Sequence, residues 1–242
     1  MRVALMGDIH ANLPALEAVL EHARQEGVEA IWNLGDLVGW GAFPTEVVHC
    51  LRENYALSTQ GRYDCLVVSF KRRKEKRNRG KEREEYLALE WAYDHLSGKS
   101  RKYLAFLSGE IRMQVRGKRV LLTHDTPGPD DVYLTPDTPE KQLARLAREA
   151  KADLILCGGS HQSFARSVEG VWFISPGSAG LPTDGDPRVA YTVLEVDPEE
   201  SRVFPHRVEY DVERLVAELN RQKLPETFAR MFREGRLLDA TL

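Results

Sequence analysis

The 242-residue chain is poor in cysteine: Cys50, Cys65 and Cys157 are its only three. They are too few and too scattered for a disulfide framework or a paired-cysteine zinc site, and read as reduced thiols of a cytoplasmic protein. No stretch approaches the roughly 20 apolar residues that a membrane span needs. The first residues pass straight into a strand-like run, without the basic head and apolar core of a secretory signal. Charge of one sign is also lacking. The 34 Lys and Arg against 37 Asp and Glu leave a net charge of -3, which removes any overall electrostatic drive toward nucleic acid. Internal repeats and a dividing linker are absent too, so residues 1–242 read as one domain. The expectation is a cytoplasmic protein with no membrane and no nucleic acid among its partners; its oligomeric state is not legible.

Against these absences stands an ordinary globular composition, with 42% hydrophobic residues, enough for a sizeable core. The first third alternates strand and helix. Residues 3–6 form a continuous apolar run, the pattern of a strand buried on both faces. Asn12 then caps a helix in which Leu13, Leu16, Val19, Leu20 and Ala23 recur at helical spacing, stopped by Gly27. Strands follow at 30–34 and 56–59, with a helix after Pro44 between them. The middle of the chain is helical, from a run dense in Lys and Arg (71–83) through Tyr86, Trp91 and Tyr93 to a segment after Ser100. Residues 65–110 read as a partly basic helical insertion. Further strands are expected at 120–123, 153–157, 171–174, 190–196 and 202–210, with a helix over 139–151 and two at the C-terminus.

Acids and histidines cluster where these strands end. Asp8 and His10 close the first strand and Asp36 the second, Asp64 lies past the third, His124 closes a fourth and His161 follows a fifth. Carboxylates and imidazoles gathered at strand C-termini suit a divalent transition ion such as Mn, Fe or Zn. Glycines stand beside nearly every candidate, where backbone must approach a ligand closely or take positive φ.

The ordered series Gly7-Asp8-Ile9-His10, Gly35-Asp36, Gly61 to Asp64, Thr123-His124 and Gly158 to His161 resembles the five motifs of calcineurin-like metallophosphoesterases. The small bacterial and archaeal phosphodiesterases are the nearest branch. The resemblance implies an α/β fold, a four-layer α-β-β-α sandwich with mixed sheets, and a two-metal site at its top. It implies that Asp8, His10 and His161 ligate the first ion, that Asp36 bridges both, and that His124 belongs to the second. The implied chemistry is hydrolysis of a phosphodiester or nucleotide, a small phosphorylated substrate. The Pro-Gly-Ser turn at 176–178 could present Ser178 and its neighbours to the substrate anion.

The sequence departs from the family pattern in the third and fifth motifs. An Asn that would serve the second ion is Arg62, a permanent cation without an acceptor. The His or Cys expected to assist the leaving group is Tyr63, beside Asp64. The first His of the fifth motif is Gly159. Both lost ligands belong to the same ion. The expectation is therefore one ion, with Arg62 turned toward Asp36 and substituting its charge for the second, and His124 or Tyr63 near the leaving oxygen. The alternative is a catalytically inactive relative kept as a binding or scaffold module.

Overall fold

A computed structural model describes residues 1–71, 83–127 and 133–237. Most of the basic run at 71–83 lies outside them. Two mixed five-stranded sheets are built in the orders β10-β9-β1-β2-β3 and β4-β5-β6-β8-β7. The first contains β1 (Arg2–Met6), β2 (Ala30–Asn33), β3 (Leu57–Ser58), β9 (Val189–Glu195) and β10 (Arg202–Val208). The second contains β4 (Glu110–Val115), β5 (Lys118–Thr123), β6 (Leu154–Cys157), β7 (Ser163–Val168) and β8 (Val171–Pro176). The helices of the described residues are α1 (Leu13–Gln25), α2 (Pro44–Glu53), α3 (Arg62–Val68), α4 (Arg83–His95), α5 (Gly98–Phe106), α6 (Glu140–Ala150), α7 (Val212–Arg221) and α8 (Glu226–Glu234). None is long and apolar enough to cross a membrane.

The four layers follow from the period of two along the buried strands. In β1, Val3 and Leu5 pack with Val120, Leu122, Leu154 and Leu156 of the other sheet, forming the core between the sheets. Ala4 and Met6 point the other way, into Leu16 and Val19 of α1 and Val47 and Val48 of α2. In the second sheet, Leu121, Ile155 and Cys157 turn outward onto Leu143 and Leu146 of α6. Every one of these strands is therefore apolar on both faces, and each fully buried Leu contributes about 1.5–3 kcal/mol. The expected α-β-β-α sandwich is the observed one.

Local signals set the connections. Asn12 accepts a hydrogen bond from the Ala15 N–H at 3.2 Å and starts α1, and Gly27 beyond its end takes a φ of +68°. One element differs from the sequence reading. The edge strand β7 is Ser-Phe-Ala-Arg-Ser-Val and mostly exposed, so its apolar signal is weak. The helical segment expected from residue 65 begins three residues earlier, as α3.

Strands β1, β2 and β3 run parallel, as do β5, β6 and β8. Their carboxyl ends are joined across the sandwich: His124 Nδ1, after β5, hydrogen-bonds the Leu34 carbonyl after β2 at 2.7 Å. This seam carries the site.

Candidate metal centre

The loops after β1 and β2 are stitched to each other before any side chain is considered. The N–H groups of Asp8, Ile9, His10 and Ala11 donate to the carbonyls of Gly35, Asp36 and Leu37, all at 2.9–3.0 Å. Within this seam Asp8, His10 and Asp36 all have φ near +50°, and His161 has φ +58°. Left-handed backbone is uncommon outside glycine and costs about 1–3 kcal/mol per residue. Four of the five ligand-type residues carry that strain, which places their side chains rather than stabilising the fold.

Asp8, His10, Asp36 and His124 are buried, with exposures of 0–2%. The ligand-type atoms of Asp8, His10 and His161 lie within 4.8 Å of one another, and those of Asp8, Asp36 and His124 form a second such group. His10 Nε2 and His161 Nε2 are 3.2 Å apart. His161 Nε2 is 3.5 Å from Asp8 Oδ1, and His10 Nε2 is 3.9 Å from Asp36 Oδ2. His161 Nδ1 is held by the Leu181 carbonyl at 2.6 Å and His124 Nδ1 by Leu34, so each turns its Nε2 inward. Asp36 Oδ2 stands between His10 and His124, 3.3 Å from His124 Nε2, where a bridging carboxylate would stand.

Acceptors crowded this closely in a buried site require a cation, and the donor set of carboxylate and imidazole suits a divalent transition ion. The residues of the first group therefore fit the metal that the sequence implies. The electrostatics agree. Burial drives His10 down to about 3, leaving a neutral imidazole. Burial also pushes the Asp8 carboxyl above the ordinary range, against the pull of His161 and His124. Asp36 differs: burial opposes its ionisation, yet His124 beside it and the Tyr63 N–H hold it at about 2. His124 is the reciprocal case, since burial would lower it but Asp36 and Asp8 raise it to about 10.

Above these residues opens a cavity of about 210 Å³, walled in part by His10, Asp36, Tyr63, His161, Arg62 and Tyr133. Tyr63 stands edge-on to His10 with ring centroids 4.9 Å apart, and its N–H donates to Asp36 Oδ1 at 2.6 Å.

Three sequence expectations meet a different geometry. Asp64, a candidate for catalysis, is fully buried and accepts from Leu37 N, Val38 N and Gly61 N at 2.9–3.2 Å. It caps α3 and holds the Asp36 loop; burial and the Asp36 charge push it up to about 7 against those donors. Gly61 is fixed by the same packing, since a Cβ there would meet the Asp36 backbone N at 2.2 Å. Ser178, expected at the substrate, is buried too. Its hydroxyl donates to the Asp8 carbonyl at 2.7 Å and accepts from Leu181 N at 2.7 Å, so it braces Asp8 from behind. Arg62, expected against Asp36, lies at the wall of the cavity that Tyr133 also lines. The Asp36 oxygens are taken by Tyr63 N and His124.

Sequence reasoning missed Tyr133. A Cβ at Gly159 would meet its Cε1 at 2.2 Å and Cδ1 at 2.3 Å. The ring thus fills the space above Gly159 and stands edge-on to His124, centroids 5.9 Å apart. The signal available in the sequence was indirect: a glycine where the motif carries His leaves a volume that another side chain must fill.

Residues 1–199 match the calcineurin-like phosphoesterase superfamily domain. An uncharacterised protein of Methanocaldococcus jannaschii is 31% identical over 247 residues, spanning 93% of this chain and 94% of its own. A metallophosphoesterase from Sphaerobacter thermophilus, 29% identical, superposes with a TM-score of 0.77 over 97% of this chain and all of its own. A hypothetical protein from Pyrococcus horikoshii reaches 0.87 at 22% identity, over 98% and 99% of the two chains.

Proposed function

The chain belongs to the calcineurin-like phosphoesterase superfamily, and on that premise we propose that it is a metal-dependent phosphoesterase acting on a phosphodiester or a nucleotide through a single strong metal site. The observation that carries this reading is the convergence of Asp8, His10 and His161, with Asp36 Oδ2 3.9 Å from His10 Nε2 and strained backbone at each of the four. The similarity to the Sphaerobacter thermophilus metallophosphoesterase supports it.

A divalent ion of the Mn, Fe or Zn type, held by those four residues, supplies Lewis-acid activation of water and of a phosphoryl oxygen. The chain supplies the rest. Burial keeps His10 neutral and the Leu181 carbonyl turns His161 Nε2 inward, so both would ligate the ion. Tyr63 and His161 wall the cavity and limit water around the reacting phosphate. Arg62 at the same cavity brings a permanent positive charge to phosphate oxygens, in two-pronged hydrogen bonds suited to its planar fork. A cavity of about 210 Å³ takes a phosphate and part of one ester arm, which favours a small substrate over a folded protein.

Turnover of bis-p-nitrophenyl phosphate, with metal content measured on the same samples, tests the reading. Wild type is expected to hold a divalent ion and to turn over; Asp8→Asn is expected to lose both. Metal-free wild type that remains folded and fails to take up any divalent ion would contradict it and favour the binding-module alternative.

A further inference from the structure

We propose that Tyr133 and Arg62 together occupy the place of a second ion, Tyr133 as the plug and Arg62 as the cation, and that their open edge is a subsite for the non-bridging oxygens of a phosphate. The proposal rests on the site being a phosphoesterase metal centre.

Two ligands are missing from the sequence, at positions 62 and 159, and the structure shows one feature filling both losses. The Tyr133 ring lies where any side chain from position 159 would have to start, 2.2 Å from the Cβ site. It shares the wall of one cavity with Arg62, whose guanidinium replaces the other ligand. What remains for a second ion is Asp8, Asp36 and His124, without a ligand from positions 62 and 159. Asp36 Oδ2 and His124 Nε2 are 3.3 Å apart, and His124 Nδ1 is committed to Leu34. A guanidinium offers five donors and no acceptor, so it cannot ligate an ion, but it can receive an anion.

Tyr133 is in this account a positioning residue. Its ring takes the volume above Gly159 and leaves Arg62 at the wall of the cavity, while the Asp36 oxygens face Tyr63 N and His124. Both side chains line the cavity that His10, Asp36 and His161 also line, so a phosphate held there would reach the guanidinium from the same space.

The test is equilibrium binding of Mn²⁺, followed by electron paramagnetic resonance, and of inorganic phosphate to the Mn²⁺-loaded chain by calorimetry. All proteins carry Glu26→Ala and His206→Ala. Those changes remove from the count a separate group, His22, Glu26 and His206, whose ligand-type atoms also lie within 4.8 Å of one another. The parent is expected to bind one Mn²⁺ with an uncoupled spectrum. Arg62→Ala is expected to keep one Mn²⁺ and lose phosphate affinity about tenfold or more, as charge-assisted hydrogen bonds require. Tyr133→Phe, which keeps the ring, is expected to keep one ion and lose phosphate affinity several-fold. The opened variant Tyr133→Ala with Arg62→Asn is expected to take up a second, exchange-coupled Mn²⁺. Two coupled ions in the parent, phosphate binding indifferent to Arg62→Ala, or a single ion in the opened variant would each overturn the proposal. A parent that binds no Mn²⁺ instead contradicts the phosphoesterase reading, and the Arg62→Ala phosphate titration then decides the subsite alone.

Discussion

The two sides of the cavity are made of the same kinds of loop and end in different chemistry. On the side of His10 and His161, backbone strain, capped imidazoles and a buried carboxylate all converge on a point that only a cation can satisfy. On the side of His124, a carboxylate and an imidazole face each other at 3.3 Å, and the cavity above them is walled by a phenol and a guanidinium. On the proposed reading, a metal site is lost without collapse when its charge and its volume are replaced together. The volume needed an aromatic, the charge an arginine, and neither alone accounts for what stands above Gly159.

The largest effect expected from breaking this contrast is on the first side. His161→Ala removes an inward-facing Nε2 and should weaken metal affinity about a hundredfold or more, since even residues that merely orient a ligand contribute 10–100-fold. Equilibrium dialysis against Mn²⁺ reads this. Asp8→Asn should lose the ion as well, yet leave the metal-free chain as stable as wild type or more so. Its carboxyl is pushed up by burial, so a neutral amide relieves an unfavourable charge. Unchanged metal binding in either variant would place the ion elsewhere.

Next in size is Gly159→Ala. The new Cβ overlaps the Tyr133 ring and must adopt a φ near +77°, so the cost should be about 2–4 kcal/mol in chemical denaturation. In a Tyr133→Ala background the clash is gone and only the backbone term, about 1 kcal/mol, should remain. Equal costs in the two backgrounds would show that the ring does not fill this volume.

Ser178→Ala should cost about 1–3 kcal/mol, because it leaves the Asp8 carbonyl and Leu181 N–H without their buried partner. The metal affinity should fall less than in His161→Ala.

The smallest effect separates the two sides by pH. His124 is held near 10 and Asp36 near 2, so the metal-free chain carries them as an ion pair. A raised His pKa contributes stability that is full below its unfolded value of about 6.5 and lost as pH rises through 10. A depressed Asp pKa contributes stability present above about 3.9 and lost as pH falls through 2. The pair's contribution is therefore greatest between about pH 4 and 6.5, a window that His124→Gln should flatten in pH-dependent denaturation. By contrast His10 is already neutral, so no proton need leave it when the first ion binds at pH 7. A second ion forced into the opened variant must displace the His124 proton, and calorimetry in buffers of different ionisation enthalpy should detect about one proton released.

Much of the first side was legible in the sequence because identity and position suffice there. Asp8, His10, Asp36, His124 and His161 follow strands that announce themselves as apolar runs, and strand ends fix where side chains go. The second side depended on contacts between residues far apart in the chain. Nothing around Tyr133 marks it as a partner of Gly159, and Arg62 was read by its charge alone, so Asp36 was its expected partner. Asp64 shows the opposite case: the motif suggested chemistry, whereas its carboxylate accepts from Gly61 N at the start of α3. The polar edge strand β7 escaped for lack of an apolar face.

The most direct measurement is a crystal structure of the chain grown with Mn²⁺ and phosphate, read by anomalous scattering. The account predicts one peak among Asp8, His10, Asp36 and His161, with a phosphate oxygen at Arg62 and the Tyr133 ring still over Gly159. Two peaks about 3.5–4 Å apart, with Tyr133 displaced, would contradict it.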